Sequence, residues 1–254
     1  MNHLRRITLL LATFALLFSI SCSKDDDTSV DLASVQFAFD QSNPPIDQGV
    51  INNLVGSDDP NAALAGTYLS SANLMTIWLA YFNQPSNAVQ TDAPIGGACG
   101  TNSVTYTWTT TAGSETFTVA YQICESSDKY IFQVFWSING GDFDQIIYAE
   151  ESKGELRSGF MQLFGTNPNA EIGSTVVLEY AWEESSDGSF DYTVSDDEQG
   201  FLIEISVNAD NSGTLSYTIG GSLYYSATWD ATGTSGTYAY YSNGEITESG
   251  SWPS

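Results

Sequence analysis

The sequence predicts a mainly β fold: an antiparallel meander forming a curved sheet or barrel packed on one buried N-terminal helix. A two-sheet β-sandwich is the alternative. Three observations carry this expectation. Apolar and polar residues alternate over most of the chain beyond Val104, the period of a half-buried strand. Turn residues punctuate that alternation at short spacing. One uncharged segment, Asn61 to Asn83, instead places Leu64, Tyr68, Met75, Leu79 and Phe82 at three-, four- or seven-residue steps, which is helical spacing.

The elements follow in order. His3, Arg5 and Arg6 form a basic start, and Ile7 to Ile20 is apolar apart from Thr8, Thr13 and Ser19. This is the layout of a secretory signal, too short for the roughly 20 apolar residues of a membrane span. The run meets Ser21 and Cys22 and passes at once into Ser23-Lys24-Asp25-Asp26-Asp27, whose carboxylates cannot sit in hydrocarbon. Ser19-Ile20-Ser21-Cys22 resembles the lipobox of bacterial lipoproteins, which implies a signal peptide over 1–21 and a lipid on Cys22. Ordinary signal peptidase cleavage, leaving Cys22 as a free thiol, is the alternative. Ser23 to Asp27 is similar to the acidic export signal of Bacteroidota surface lipoproteins. That likeness implies a lipid-anchored protein on the outer face of the outer membrane, with a periplasm-facing anchor as the alternative. A tether over 22–33 and a single β-rich domain over 34–254 complete the expected organisation.

Pro44-Pro45 marks a loop near the start of the domain. Asp59-Pro60 reads as an N-cap followed by proline at the first helical position, and Pro85 stops the helix expected over 60–83. Leu69, Ile77, Trp78 and Tyr81 widen its apolar surface, so it should be buried. Strands are expected over Val104–Thr110, Thr116–Ile123, Tyr130–Ser137, Phe143–Ala149, Leu156–Phe164, Thr175–Glu183 and Phe201–Val207. Further strands run around Leu215–Ile219, Leu223–Trp229, Tyr238–Tyr240 and Ile246–Trp252. Asn139-Gly140-Gly141 and Asn243-Gly244 are hairpin turns. Three late segments share a Gly-polar-x-x-Tyr form, beginning at Gly213, Gly221 and Gly236, as hairpin chemistry alone would produce.

Cys99 and Cys124 flank the first hairpin, whose turn is read as Thr111-Ala112-Gly113-Ser114. Opposed residues there sum to about 225, and the two cysteines sum to 223, so a disulfide is expected across the strands or just beyond their base. Cys22 is then the odd thiol, which lipidation would remove.

All 31 acidic residues follow Cys22. Of six basic residues, Lys24, Lys129, Lys153 and Arg157 remain after the signal, so the mature chain carries 4 − 31 = −27. Such a chain repels nucleic acid and anionic lipid surfaces. His3 is the only histidine and lies in the signal, which excludes a Ser-His-Asp triad, a Cys-His pair and histidine-bound zinc from the mature protein.

Carboxylates are the remaining chemistry. Asp142 and Asp144 flank Phe143, Glu150-Glu151 follow on the same strand, and Glu179 and Glu183 share a face. Two carboxylates at a suitable separation hydrolyse glycosides, but most of these should be the wet face of a sheet. Asn208 to Gly213 begins like an EF-hand loop, yet Ile219 stands where glutamate belongs. Asp196-Asp197-Glu198 reads as a solvated turn. No cofactor is therefore expected; calcium is conceivable but unsupported. Tyr224 with Tyr225, and Tyr240 with Tyr241, should point to opposite faces, leaving one of each pair outward to stack on a sugar or anchor a protein. The leading expectation is a non-enzymatic binding module for a glycan or protein. A carrier of an apolar ligand, similar in broad plan to outer-membrane lipoprotein carriers and lipocalin-like barrels, is second. A carboxylate-based glycoside hydrolase is third.

Overall fold

The alternating part of the chain, from Val89 to Trp252, becomes one thirteen-stranded antiparallel sheet whose strands pair in chain order. The strands are β1 (Val89–Thr91), β2 (Ser103–Ala112), β3 (Glu115–Glu125), β4 (Lys129–Ile138), β5 (Asp144–Ser152), β6 (Ser158–Phe164) and β7 (Val176–Glu184). They continue as β8 (Phe190–Asp196), β9 (Phe201–Val207), β10 (Gly213–Ile219), β11 (Ser222–Trp229), β12 (Gly236–Ser242) and β13 (Glu245–Trp252). This computed structural model describes residues 31–39, 44–92, 95–96, 99, 102–165, 175–196 and 198–253. The expected signal peptide, Cys22 and the acidic segment after it lie outside the described residues.

The curved meander packed on helix is the observed architecture; the closed barrel and the two-sheet sandwich are not. β1 and β13 remain as edges. β1 is only three residues long, and β13 carries Glu245 and Glu248, both devices that discourage edge pairing. Two strands go beyond the sequence expectation, β1 and β8. In β8, Phe190, Tyr192 and Val194 are buried and alternate with Asp191, Thr193 and Ser195, so the period was present in the sequence. The Asn139-Gly140 and Asn243-Gly244 turns take the positive φ values that their residue types favour.

Helices cover the inner face of the sheet. They are α1 (Gln48–Val55), α2 (Pro60–Asn73) and α3 (Met75–Trp78), followed by a 3-10 turn over Leu79–Phe82. The expected single helix over 60–83 is thus broken, and α1 precedes it. Asp59 caps α2 as expected, accepting from the backbone N–H of Asn61 at 2.8 Å and of Ala62 at 3.3 Å. At the break the Thr76 hydroxyl donates to the carbonyl of Asn73 at 2.8 Å. The buried Asn73 side chain brackets Ile46, accepting from its N–H at 3.2 Å and donating to its carbonyl at 2.9 Å. Leu69, Met75, Leu79 and Phe82 are buried against the sheet, with Leu64, Tyr68 and Trp78 packed at the margin. Tyr192 ties α2 to the sheet by donating to the Ala72 carbonyl at 3.1 Å.

Cys99 and Cys124 form a disulfide with Cα atoms 5.6 Å apart, but not as a cross-strand pair. The β2–β3 turn centres on Gly113-Ser114, opposed residues sum to 227, and Cys124 faces Ser103. Cys99 instead folds back over the outer face. There Gln122 accepts from the Ile95 N–H at 2.7 Å and donates to the Gly96 carbonyl at 2.9 Å. Replacing both cysteines by serine is expected to cost about 3 kcal/mol by loop entropy, measured by urea unfolding beside the oxidised protein.

Candidate functional site

Tyrosines from four elements converge at one end of the inner face. Tyr68 comes from α2, Tyr217 from β10, Tyr224 and Tyr225 from β11, and Tyr240 from β12. Their rings touch in a closed circuit. Tyr68 meets Tyr217 at 4.6 Å between centroids, and Tyr217 meets Tyr224 at 6.2 Å. Tyr224 meets Tyr240 at 6.1 Å, Tyr240 meets Tyr225 at 5.1 Å, and Tyr225 returns to Tyr68 at 5.7 Å. Tyr238 joins from outside at 5.9 Å from Tyr240.

A β-bulge makes this possible and corrects the expectation for Tyr224 and Tyr225. Tyr217 opposes Tyr225 while Thr218 opposes Leu223, so Tyr224 has no register partner. The extra residue resets the alternation, and Tyr224 joins Tyr225 beside Tyr217 and Tyr240 rather than facing away. Tyr225 is buried as the floor, whereas Tyr224 remains 46% exposed. Tyr241 obeys the alternation and lies within 3.2 Å of the Ser226 hydroxyl, apart from the circuit. Period-two reading could not locate the bulge. It also missed Tyr68 and Tyr217 as partners, although the Gly-polar-x-x-Tyr segments end on Tyr217, Tyr225 and Tyr240, all three in the circuit.

Hydrogen bonds fix the rings. Tyr225 donates to the Asn61 carbonyl at 2.9 Å, Tyr240 to Asn61 Oδ1 at 2.9 Å, and Tyr238 to Glu248 Oε1 at 3.2 Å. Burial, with the neighbouring hydroxyls of Tyr217, Tyr224 and Tyr240, pushes the Tyr68 hydroxyl up to about 12. Burial also raises Tyr240, reinforced by Glu248 and Asp59 among its neighbours. Both therefore stay neutral near pH 7.

The carboxylates do not assemble in the same way. Six residues of β5, roughly 20 Å of strand, separate Asp144 from Glu150. Glu150 accepts from Tyr148 and Lys129, while Glu151 turns inward and accepts from the Ala38 N–H. Glu179 accepts from Gln162 Nε2 at 2.7 Å, and Glu183 is exposed four residues further along β7. Asp196, expected in a solvated turn, is buried at the end of β8 and accepts from the Gln199 N–H at 2.7 Å. Asp210 in the Asn208–Gly213 turn accepts from the Ser212 N–H and hydroxyl. Among the described residues no three acidic, histidine or cysteine side chains gather as metal ligands.

A second surface feature is an open apolar groove of about 530 Å³ at the α2–α3 break. Exposed Leu74 and Ile77 border it, with Trp78, Leu178 and Phe201 among its walls. Compared with protein-family models, curated proteins and solved structures, the chain has no match.

Proposed function

We propose that this chain is a surface-displayed, lipid-anchored binding module without catalytic chemistry, and that its ligand seats on the tyrosine circuit. The anchor rests on the lipobox-like Cys22 and the acidic segment behind it. The circuit carries the binding role: four half-exposed or exposed rings beside a buried fifth, with Tyr225 and Tyr240 held by hydrogen bonds to Asn61. Pre-set tyrosine rings offer contact area with little entropy left to lose, which is why tyrosine is enriched among residues that dominate binding energy. The test is to probe glycan and peptide arrays with the purified full chain and with its Tyr217→Ala and Tyr224→Ala variants. The wild type should retain one ligand class, and each substitution should weaken it about tenfold or more. A chain that retains nothing, or retains it equally after both substitutions, overturns the reading.

The apolar groove favours a second reading, a carrier for an acyl-bearing ligand. An added lipid mass in native mass spectrometry that vanishes with Ile77→Gln would support it, and a bare mass would dismiss it.

A further inference from the structure

We infer that the groove at the α2–α3 break binds an amphiphile that joins a protonated primary amine to an aliphatic chain, with Asp196 as the partner of the ammonium. The inference rests on the reading of the groove as a carrier site and assigns the head group of its ligand.

The groove offers about 530 Å³, within the roughly 300–1,000 Å³ of small-molecule sites. Leu74, Ile77, Trp78, Leu178 and Phe201 give it apolar walls, and Tyr180 and Asp196 line the same space. Register places these two polar groups together. Tyr180 opposes Val194, and Asp196 lies two residues further along β8, on the same face of the sheet.

Both groups are buried, Tyr180 at 1% exposure and Asp196 at 6%. Tyr180 makes no hydrogen bond with any described residue. Asp196 accepts one, from the Gln199 N–H on Oδ1, and its Oδ2 has no partner among the described residues. Burial raises the Tyr180 hydroxyl further above its ordinary range, so it stays neutral near pH 7 and can accept as well as donate. Buried polar groups are costly to leave unpaired, so a ligand with matching donors gains more here than at an exposed site.

The elements around the groove supply no cation of their own. No lysine, arginine or histidine follows Arg157, and none lies between Lys24 and Lys129. Arg157 itself pairs with Glu184 at the end of β7.

These facts sort the ligand classes. A carboxylate- or phosphate-headed lipid is repelled by Asp196 and by a strongly acidic chain. A quaternary ammonium has the charge but no N–H to donate. An inorganic cation gains nothing from the apolar walls. A primary ammonium brings three donors and forms a charge-assisted hydrogen bond with a carboxylate, while its chain covers the walls and leaves water.

The test titrates the purified full chain near pH 7 with decylamine, decyltrimethylammonium and decanol, each below its aggregation limit, following the Leu74 and Ile77 methyl resonances. Decylamine should move both residues and bind about tenfold or more tighter than the other two probes. Asp196→Asn, which keeps an acceptor for Gln199, should remove most of that preference and leave decanol unchanged. Tyr180→Phe, which keeps the ring, should weaken decylamine about threefold or more. The quaternary probe separates recognition by N–H groups from general attraction to an acidic chain, so equal affinity for the two cations overturns the inference. Equal affinity for decylamine and decanol also overturns it, while leaving the groove a carrier of aliphatic chains. A preference for decylamine that survives both Asp196→Asn and Tyr180→Phe places the amine elsewhere and overturns it too. Resonances unmoved by any probe overturn both the inference and the carrier reading beneath it.

Discussion

Gly213→Ala is expected to destabilise the protein by more than about 3 kcal/mol, and Gly236→Ala by a similar amount. Each glycine begins a strand and lies under a tryptophan of the next strand, Trp229 over Gly213 and Trp252 over Gly236. A Cβ on Gly213 would stand 2.4 Å from Trp229 Cζ2 and 2.4 Å from the Ser206 carbonyl oxygen. On Gly236 it would stand 2.3 Å from Trp252 Cζ2 and 2.1 Å from the Thr228 carbonyl oxygen. The ring cannot simply swing out, because Trp229 and Trp252 are both buried core residues and ejecting one forfeits several kcal/mol of burial. Nor would shrinking the ring be enough, since the backbone carbonyl stays. Gly250 provides the contrast. There the three atoms nearest a Cβ all belong to the Tyr238 ring and hydroxyl, a partly exposed side chain that can turn, so Gly250→Ala should cost less than about 1 kcal/mol. Urea midpoints of the three variants measure this. A loss below about 1 kcal/mol for Gly213→Ala would refute the packing account.

The second large effect depends on pH. Glu151 is 6% exposed, and both of its carboxyl oxygens accept from the Ala38 N–H, at 3.2 and 3.1 Å. Burial pushes its pKa from the ordinary 4.5 up to about 7, although the Ala38 hydrogen bond and the Arg157 charge pull the other way. The folded state therefore holds a proton that the unfolded state has released. Its contribution is fully present below about pH 4.5 and declines as pH rises to about 7, a span worth about 3 kcal/mol. Glu151→Gln keeps an acceptor for Ala38 and removes the titration. Wild type should lose stability relative to Glu151→Gln between pH 5 and 8. Parallel stability curves for the two proteins across that range would refute the assignment. Glu184, Asp187 and Asp210 have lowered pKa values through hydrogen bonds to their carboxylates, so their stabilisation is lost only in acid, below the Glu151 window. The same window should appear in hydrogen exchange at Ala38. Phe37 and Phe39 flank Ala38 and pack edge-on against Trp182 at 5.4 and 5.3 Å, so the clasp holds the segment entering the domain.

Much of this molecule can be read along the chain. Asp59-Pro60 starts a helix because a carboxylate satisfies free N–H groups and proline needs none. Asn243-Gly244 turns the chain because both residues tolerate positive φ. The strand Phe190–Asp196 was equally legible, since its buried Phe190, Tyr192 and Val194 alternate like those of its neighbours. Missing it is what made Asp196 read as solvated. Cys99 and Cys124 were paired correctly from their flanking positions, although the register that joins them is set by a loop folding back and not by the hairpin.

What the sequence by itself determined is therefore local: which segments are strands, where they turn, where the helix begins and which face each alternating residue shares with its neighbours. Adjacent residues suffice for this because side-chain period and turn chemistry act within a few positions. The tertiary structure alone decided that the sheet stays open, that the outer face near Cys124 is covered, that Glu151 and not Glu150 is buried, and that one unpaired residue at Tyr224 brings five tyrosines together. Each of these depends on register and coverage by elements distant in sequence. A single bulge inverts the alternation that local reading assumes, and burial shifts a carboxyl only once another segment has closed over it.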